Sequence, residues 1–191
     1  MLRFILFSLV LCLGLALTSR AQDKIEREVG VKPSEVPDPA KSWLKDAFEK
    51  VKRPKWFLEY SQDGQAFEAK FWWEKHYHSV KFDSLGKLMD VEIEISKDEM
   101  PPTSWEEIQG YFQSEFEEFS VMKIQRQLIG DESDLEDFFD EEETEGVTIR
   151  YEIVFQGKKG AWQIWEGLFD EQGAFISIVR VQMRSVDNLI F

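Results

Sequence analysis

The sequence predicts an α+β protein built from two tandem units, each with one helix followed by four antiparallel strands. Apolar residues recur with helical spacing in two segments, the segments after each helix alternate apolar and polar residues, and one turn motif occurs twice. Both helices would cover one face of a combined sheet of about eight strands, so the other face would stay open. We place the first unit at residues 36–98 and the second at residues 99–191.

The first unit begins with a helix signal. Asp38 and Pro39 fit the N-cap and first helical position, and Pro54 prevents the helix from continuing. The apolar stripe between them consists of Ala40, Trp43, Leu44, Ala47, Phe48 and Val51. Alternation then predicts strands at 56–60, 67–73, 76–82 and 89–95, with an Asp63-Gly64 hairpin turn after the first.

The second unit repeats this order. Ser104 and Glu107 fit a capping box. A second apolar stripe follows at Trp105, Ile108, Phe112, Phe116 and Phe119. Strands are predicted at 122–128, 147–155, 161–169 and 175–183, and Phe82-Asp83-x-x-Gly86 aligns with Phe169-Asp170-x-x-Gly173. A match that keeps both the turn and the strand register indicates a repeat.

Residues 1–21 are typical of a secretory signal peptide. Arg3 provides a basic start, and Ser19 and Ala21 provide small residues for cleavage. The apolar run 4–17 is shorter than the roughly 20 residues of a membrane span, and a bulky Leu11 disfavours lipidation at Cys12. We therefore expect a cysteine-free exported chain, periplasmic or extracellular, with a flexible lead-in at 22–35 and no membrane insertion after cleavage.

Charge and composition exclude several classes of function. The 191 residues include 23 Lys plus Arg against 37 Asp plus Glu, a net charge of −14, which is unsuited to binding nucleic acid. The chain has no Gly-x-Ser-x-Gly elbow and no cysteine after the leader. Carboxylates are too abundant to indicate a glycosidase pair. We predict no enzyme activity and no cofactor.

The helix entries and hairpins together resemble a known family. The x-Pro entries Val36-Pro37 and Met100-Pro101, the Trp-containing amphipathic helices and the two Phe-Asp-x-x-Gly hairpins are similar to the β-lactamase-inhibitor-like, PepSY-like family of exported bacterial proteins. The resemblance covers about residues 36–183. It implies a tandem helix-plus-four-strand fold, no catalytic residue and, in some relatives, binding of an enzyme on the concave sheet. The long acidic insertion and the absence of disulfide cysteines are departures from the inhibitors.

The acidic insertion at residues 130–146 is the most unusual local feature. A run of like charges repels itself, which predicts an elaborated, mobile hairpin loop. Two alternatives stay open: a docking arm anchored by Phe138 and Phe139, or a loose calcium site. EF-hand spacing fails because Leu135 and Glu136 occupy its fifth and sixth positions. The candidate calcium ligands are Asp131, Asp134, Asp137 and Asp140.

The chain has two histidines, His76 and His78. Their i, i+2 spacing places both side chains on one face of a strand, where they could hold zinc or copper if a further ligand came close. They share parity with Val80 and Phe82, which we assign to the helix-covered face. The pattern therefore favours a partly buried pair on an edge strand.

The open face of the sheet is the main candidate binding surface. Trp, Tyr and Arg dominate binding hot spots, and an exposed apolar area usually marks an interaction surface. Parity opposite to the core places there Trp72, Tyr77, Arg150, Trp162, Ile164, Ile178 and Arg180. A foreign protein, a second copy of the chain or the acidic arm could cover this face.

These features predict an exported, acidic, non-enzymatic binding protein, and an inhibitor-like role is one hypothesis for it. An unidentified protein partner would dock on the concave sheet, and the acidic arm would steer a basic partner. The alternative is a calcium-responsive module that uses the acidic loop. A hydrolase with scattered carboxylates is a third hypothesis.

Overall fold

A computed structural model describes residues 23–24, 26–48, 51–62 and 64–182. The described residues form three α-helices: α1 (Asp38–Ala47), α2 (Pro102–Glu115) and α3 (Glu132–Glu141). The strands are β1 (Asp23–Lys24), β2 (Arg27–Val31), β3 (Lys55–Ser61), β4 (Gly64–Trp73), β5 (His76–Phe82), β6 (Leu88–Glu94), β7 (Glu118–Ile129), β8 (Thr148–Lys159), β9 (Ala161–Asp170) and β10 (Phe175–Val181). The predicted leader, Asp63 of the first hairpin and Met183 lie outside the described residues.

The ten strands form one sheet in the order β1-β10-β9-β8-β7-β6-β5-β4-β3-β2. Neighbours from β2 to β10 are antiparallel, and β1 pairs with β10 in parallel. The eight predicted strands are β3 to β10, which confirms the α+β fold class. The two predicted units join edge to edge through β6 and β7, where Val91 pairs with Leu128.

The repeated Phe-Asp-x-x-Gly turns have the same local structure. In each turn, Oδ1 of the aspartate accepts hydrogen bonds from the backbone N–H groups two and four positions later, over 2.8–2.9 Å at Asp83 and 2.8–3.0 Å at Asp170. The glycines that close the turns have positive φ angles, 88° at Gly86 and 91° at Gly173. This equivalence agrees with two tandem units.

The core lies between one face of the sheet and the helices. Its fully buried aromatic residues include Phe48, Phe82, Phe112, Phe155 and Phe169, and the ring centroids of Phe112 and Phe155 are 4.3 Å apart. Burial of such rings is the main favourable term for this fold.

The start of α2 differs from the prediction. The helix begins at Pro102, so Ser104 lies in its first turn and not at its N-cap. The Ser104 hydroxyl donates a hydrogen bond to the carbonyl oxygen of Glu171 over 2.8 Å. The predicted capping box is therefore wrong, because this hydroxyl ties the helix to the second Phe-Asp-x-x-Gly turn.

The acidic insertion is a helix, and the prediction of a mobile loop is wrong. Leu135 of α3 is fully buried, and the ring centroid of Phe139 lies 4.5 Å from that of Phe48. Trp43 of α1 donates its indole N–H to the carbonyl oxygen of Glu132 over 3.0 Å. Leu135, Phe138 and Phe139 follow i, i+3, i+4 spacing, so the helix turns these three side chains towards the core and most of its carboxylates outward. Leu135 is fully buried, and both phenylalanines are partly buried.

The lead-in at 22–35, predicted as flexible, contains strands at both edges of the sheet. Lys24 pairs with Val181 of β10, and Arg27 pairs with Tyr60 of β3. An extended chain covers at most about 11 Å from residue 24 to residue 27. The strands β3 and β10 must therefore lie close to each other. The sheet is curled, and the N-terminal segment that contains β1 and β2 joins its two edges.

Candidate functional site

The face of the sheet turned away from the helices is largely enclosed, in contrast to the predicted open face. Glu59, Glu68, Gln125 and Glu152 all belong to this inward side and are buried. They are buried because the sheet curls around them and the β1–β2 segment joins its edges. Binding surfaces must therefore be sought where this side reaches solvent.

One such place is a groove where β4 and β6 end and β5 begins. Trp72 is 71% exposed there and lies opposite Tyr77 in the β4–β5 ladder, with ring centroids 5.5 Å apart. The groove has a volume of about 460 Å³. Its lining residues are Trp72, Lys75, His76, Tyr77, Glu94, Ile95, Ser96 and Glu99.

A fixed negative charge lies beside these rings. Glu99 Oε2 accepts hydrogen bonds from the backbone N–H and hydroxyl of Ser96 over 2.7 and 2.8 Å. Its other oxygen lies 2.5 Å from Nε2 of His76. These bonds, chiefly the backbone one, lower the pKa of Glu99 to about 2. Glu99 is therefore ionised at neutral pH, and the groove combines aromatic faces with carboxylate charge.

The sequence predicted Trp72 and Tyr77 as surface residues, but it did not predict that Ser96 and Glu99 would lie beside them. Parity correctly placed Trp72 and Tyr77 together. Ser96-x-x-Glu99 is a capping-box pattern that could have been read from the sequence, and it starts the short 3-10 helix Lys97–Glu99. That turn brings Glu99 back to His76 at the start of β5, a contact that local sequence does not reveal.

The two histidines do not form a metal site. His78 is buried, its ring stacks on that of Phe71 at 5.5 Å, and burial lowers its pKa to about 4. His76 instead contacts Glu99. The predicted edge location is wrong because β5 lies between β4 and β6. Among the described residues, no third metal-ligating side chain groups with this pair.

The remaining predicted surface residues do not join the groove. A register shift between Phe175 and Ser177 reverses the parity of β10. Ile178 and Arg180 then pair with Gly167 and Trp165 and lie on the helix-covered side. The prediction for these two is therefore wrong. Arg150, Trp162 and Ile164 keep the predicted side but lie on β8 and β9, outside the groove lining.

The insertion residues also differ from their predicted roles. Phe139 packs against Phe48, Trp73 and His78, so it is a core residue and not a docking anchor. Phe138 is partly buried, with the Arg126 guanidinium carbon 6.0 Å from its ring centroid.

The candidate calcium ligands do not converge. In the part of the chain that the structure describes, three potential metal ligands lie within 4.8 Å of one another at Glu28, Glu59 and Glu68 alone. The predicted ligands Asp131, Asp134, Asp137 and Asp140 are spread along α3 and its N-cap. Lys70 pairs with Glu28 over 2.7 Å and Lys81 pairs with Glu59 over 3.0 Å, so two lysines compensate two of the three charges of the Glu28 group.

Comparison with solved structures supports the fold. A DUF2874 family protein from Bacteroides ovatus matches with a TM-score of 0.52 and 15% identity, covering 76% of this chain and 87% of that one. A BLIP-like (β-lactamase-inhibitor-like) protein from Bacteroides fragilis matches with a TM-score of 0.50 and 14% identity, covering 80% of this chain and 91% of that one. A candidate periplasmic protein from Bacteroides eggerthii matches with a TM-score of 0.52 and 17% identity, covering 76% of this chain and 88% of that one.

The fold is thus BLIP-like, and none of these matches bears on the PepSY-like part of the resemblance. No protein-family model matches the sequence, and no curated protein is significantly similar to it. No helix within the described residues is long and apolar enough to cross a bilayer.

Proposed function

We propose that this is an exported, non-enzymatic binding protein that holds a basic segment of a protein partner in the groove at Trp72 and Tyr77. The 71% exposed Trp72 carries the proposal. A large aromatic side chain left in solvent is typical of a binding hot spot. The candidate periplasmic neighbour and the predicted leader support export.

The electrostatics of the groove favour a lysine or arginine side chain as the anchor. A cation over the face of Trp or Tyr is attracted by the ring quadrupole, and Glu94 and Glu99 line the same groove. The outward carboxylates of α3 and the net charge of −14 would speed the approach of a basic partner.

The test is capture of partners from the source organism's envelope and culture fluid, followed by affinity measurements on the purified pair. Trp72→Ala should weaken binding at least tenfold. Trp162→Ala is the matched control because this tryptophan is also exposed, at 50%, and lies outside the groove. Equal retention of the partner by wild type and Trp72→Ala would reject the groove as the docking site.

Inhibition of an enzyme is one form that such binding could take. The support is the fold shared with the BLIP-like protein from B. fragilis. Titrating the protein against β-lactamases with a chromogenic substrate would test this directly. Unchanged hydrolysis at a large molar excess would exclude the β-lactamases assayed, and the groove proposal would stand or fall on its own test.

A further inference from the structure

The enclosed inward side of the sheet holds a cavity of about 140 Å³. This volume has room for several water molecules or a hydrated ion. Eight carboxylates and four lysines line it, so negative charge is in excess. They are Glu26, Glu28, Glu59, Glu68, Glu92, Glu94, Glu152 and Glu166, with Lys24, Lys70, Lys81 and Lys123.

Several carboxylates of this cavity form ion pairs with lysines. Lys24 pairs with Glu166 over 2.8 Å, Lys70 with Glu28 over 2.7 Å and Lys81 with Glu59 over 3.0 Å. Lys24 and Lys70 reach further glutamates, Glu26 at 3.2 Å and Glu68 at 3.0 Å. Lys24 and Lys123 also attract Glu92 and Glu152. Eight carboxylates against four lysines still leave negative charge in excess in the cavity.

Glu92 of β6, Gln125 of β7 and Glu152 of β8 lie on three neighbouring strands of the cavity wall. Gln125 and Glu152 are directly paired in the β7–β8 ladder, and Gln125 donates its amide N–H to Glu92 over 2.7 Å. Burial, before any other cause, raises the pKa of both Glu92 and Glu152, and the charge of Glu92 raises the pKa of Glu152 further. The charges of Lys81 and Lys123 oppose the rise at Glu92.

A second observation points to a missing ligand. Gln125 is 6% exposed, and its Oε1 accepts no hydrogen bond from any residue that the structure describes. The bond from its nitrogen to Glu92 fixes the direction of the amide, and Gln125 lines the same cavity as Glu92 and Glu152. An uncompensated buried acceptor costs stability, and a cation would satisfy it.

We infer that Glu92, Glu152 and the amide oxygen of Gln125 form a divalent-cation site inside the sheet, suited to calcium. All three donors are oxygens, and two carboxylates can bind in bidentate fashion. Water in the cavity would complete the six to eight ligands that calcium takes. Magnesium fits less well because it requires near-ideal octahedral geometry and dehydrates reluctantly.

The exported protein, stripped of metal with a chelator, is the material for the test. Calcium at about 100 times its Kd should raise Tm by roughly 5–10 °C, and magnesium should raise it less. Glu152→Gln should bind calcium at least tenfold more weakly by titration calorimetry. Its fold should persist because the amide is isosteric and removes a buried charge.

The double variant Asp137→Asn, Asp140→Asn is the control, because both residues lie on the outer acidic helix and should leave calcium binding unchanged. No calcium response in the wild type, an undiminished response in Glu152→Gln, or an equal response to magnesium would overturn the assignment. Loss of the response in the control would overturn it too, since the ion would then bind α3.

Discussion

At the scale of single residues, Asp90 shows how the inward side alters acid–base behaviour. Burial, followed by the charge of Glu92, raises the pKa of Asp90 from 3.8 to about 7. The ionised form is thus less stable in the folded protein than in the unfolded chain. The loss of folding stability that ionised Asp90 causes is complete above about pH 7, and it disappears as the pH falls towards 3.8.

We expect Asp90→Asn to raise the free energy of unfolding by about 1–3 kcal/mol at pH 8. The gain should be smaller at pH 5, where the wild-type carboxyl group is mostly protonated. Urea denaturation at the two pH values measures the difference. Asp137→Asn, an exposed change on α3, should have little effect at either pH, and an equal gain at both values for Asp90→Asn would contradict the argument.

His78 has the opposite pH dependence. Burial lowers its pKa from 6.5 to about 4, so between these values the unfolded chain takes up the proton more readily and stability is lost as the pH falls. His78→Phe removes this loss. Its stability relative to wild type should improve by up to about 1.4 kcal/mol per pH unit across that window. A constant difference in urea unfolding between pH 7 and pH 5 would refute the prediction.

At the scale of elements, α3 is a structural helix, and Phe139 tests this. Phe139→Ala should lower the free energy of unfolding by about 3–5 kcal/mol because it empties space among Phe48, Trp73 and His78. Urea denaturation gives the value, with Leu85→Ala as a control at a 78% exposed site. A loss below about 0.5 kcal/mol would instead support a surface role.

The two repeated turns offer a second test. A Cβ at Gly86 would lie 2.8 Å from Cβ of Pro37, and one at Gly173 would clash with the carbonyl oxygen of Ser104. Either glycine-to-alanine change should cost about 2 kcal/mol or more, since positive φ adds to the clash.

The control for this test is Gly110→Ala in α2, where nothing lies within 4 Å of the new methyl group. It should stabilise the protein by up to about 1 kcal/mol, because alanine is the better helix former. Chemical denaturation of the three variants compares them. If all three changes had the same effect, close packing at the turns would not explain the role of the glycines.

Periodicity predicted the elements with strong local patterns and missed those that depend on distant partners. In α3, Leu135, Phe138 and Phe139 have the i, i+3, i+4 spacing of a helix, but the many acidic residues around them favoured the prediction of a loop. β2 has little apolar character and forms because β3 pairs with it. Parity correctly predicted that Trp72 pairs with Tyr77. It predicted the wrong face of the sheet for Arg180, because the bulge between Phe175 and Ser177 reverses the direction of every later side chain in β10.

At the scale of the whole molecule, the β1–β2 segment should control stability and association. A chain that starts at Lys32 loses both strands, so the edges of β3 and β10 are left unpaired and the charged interior opens to water. We expect a lower Tm and self-association through the free edges. Thermal unfolding and size-exclusion chromatography measure these changes.

A chain that starts at Asp23 keeps both strands and is the control for this truncation. It should behave like the exported protein in both measurements. An unchanged Tm and a monomeric elution volume for the shorter chain would show that the segment contributes little to closing the sheet. That result would also weaken the inferred cation site, which depends on enclosure.

The same segment sets the order in which the protein can mature. β1 comes from the first described residues and pairs with β10 at the last, Asp23 with Arg180 and Lys24 with Val181. Contacts this distant in sequence are slow to form. The sheet cannot close until β10 has been synthesised, so the growing polypeptide holds its acidic interior open to water until then. A ribosome that stalls before β10 would release a chain with an open sheet, which proteases could distinguish from a chain that contains β10.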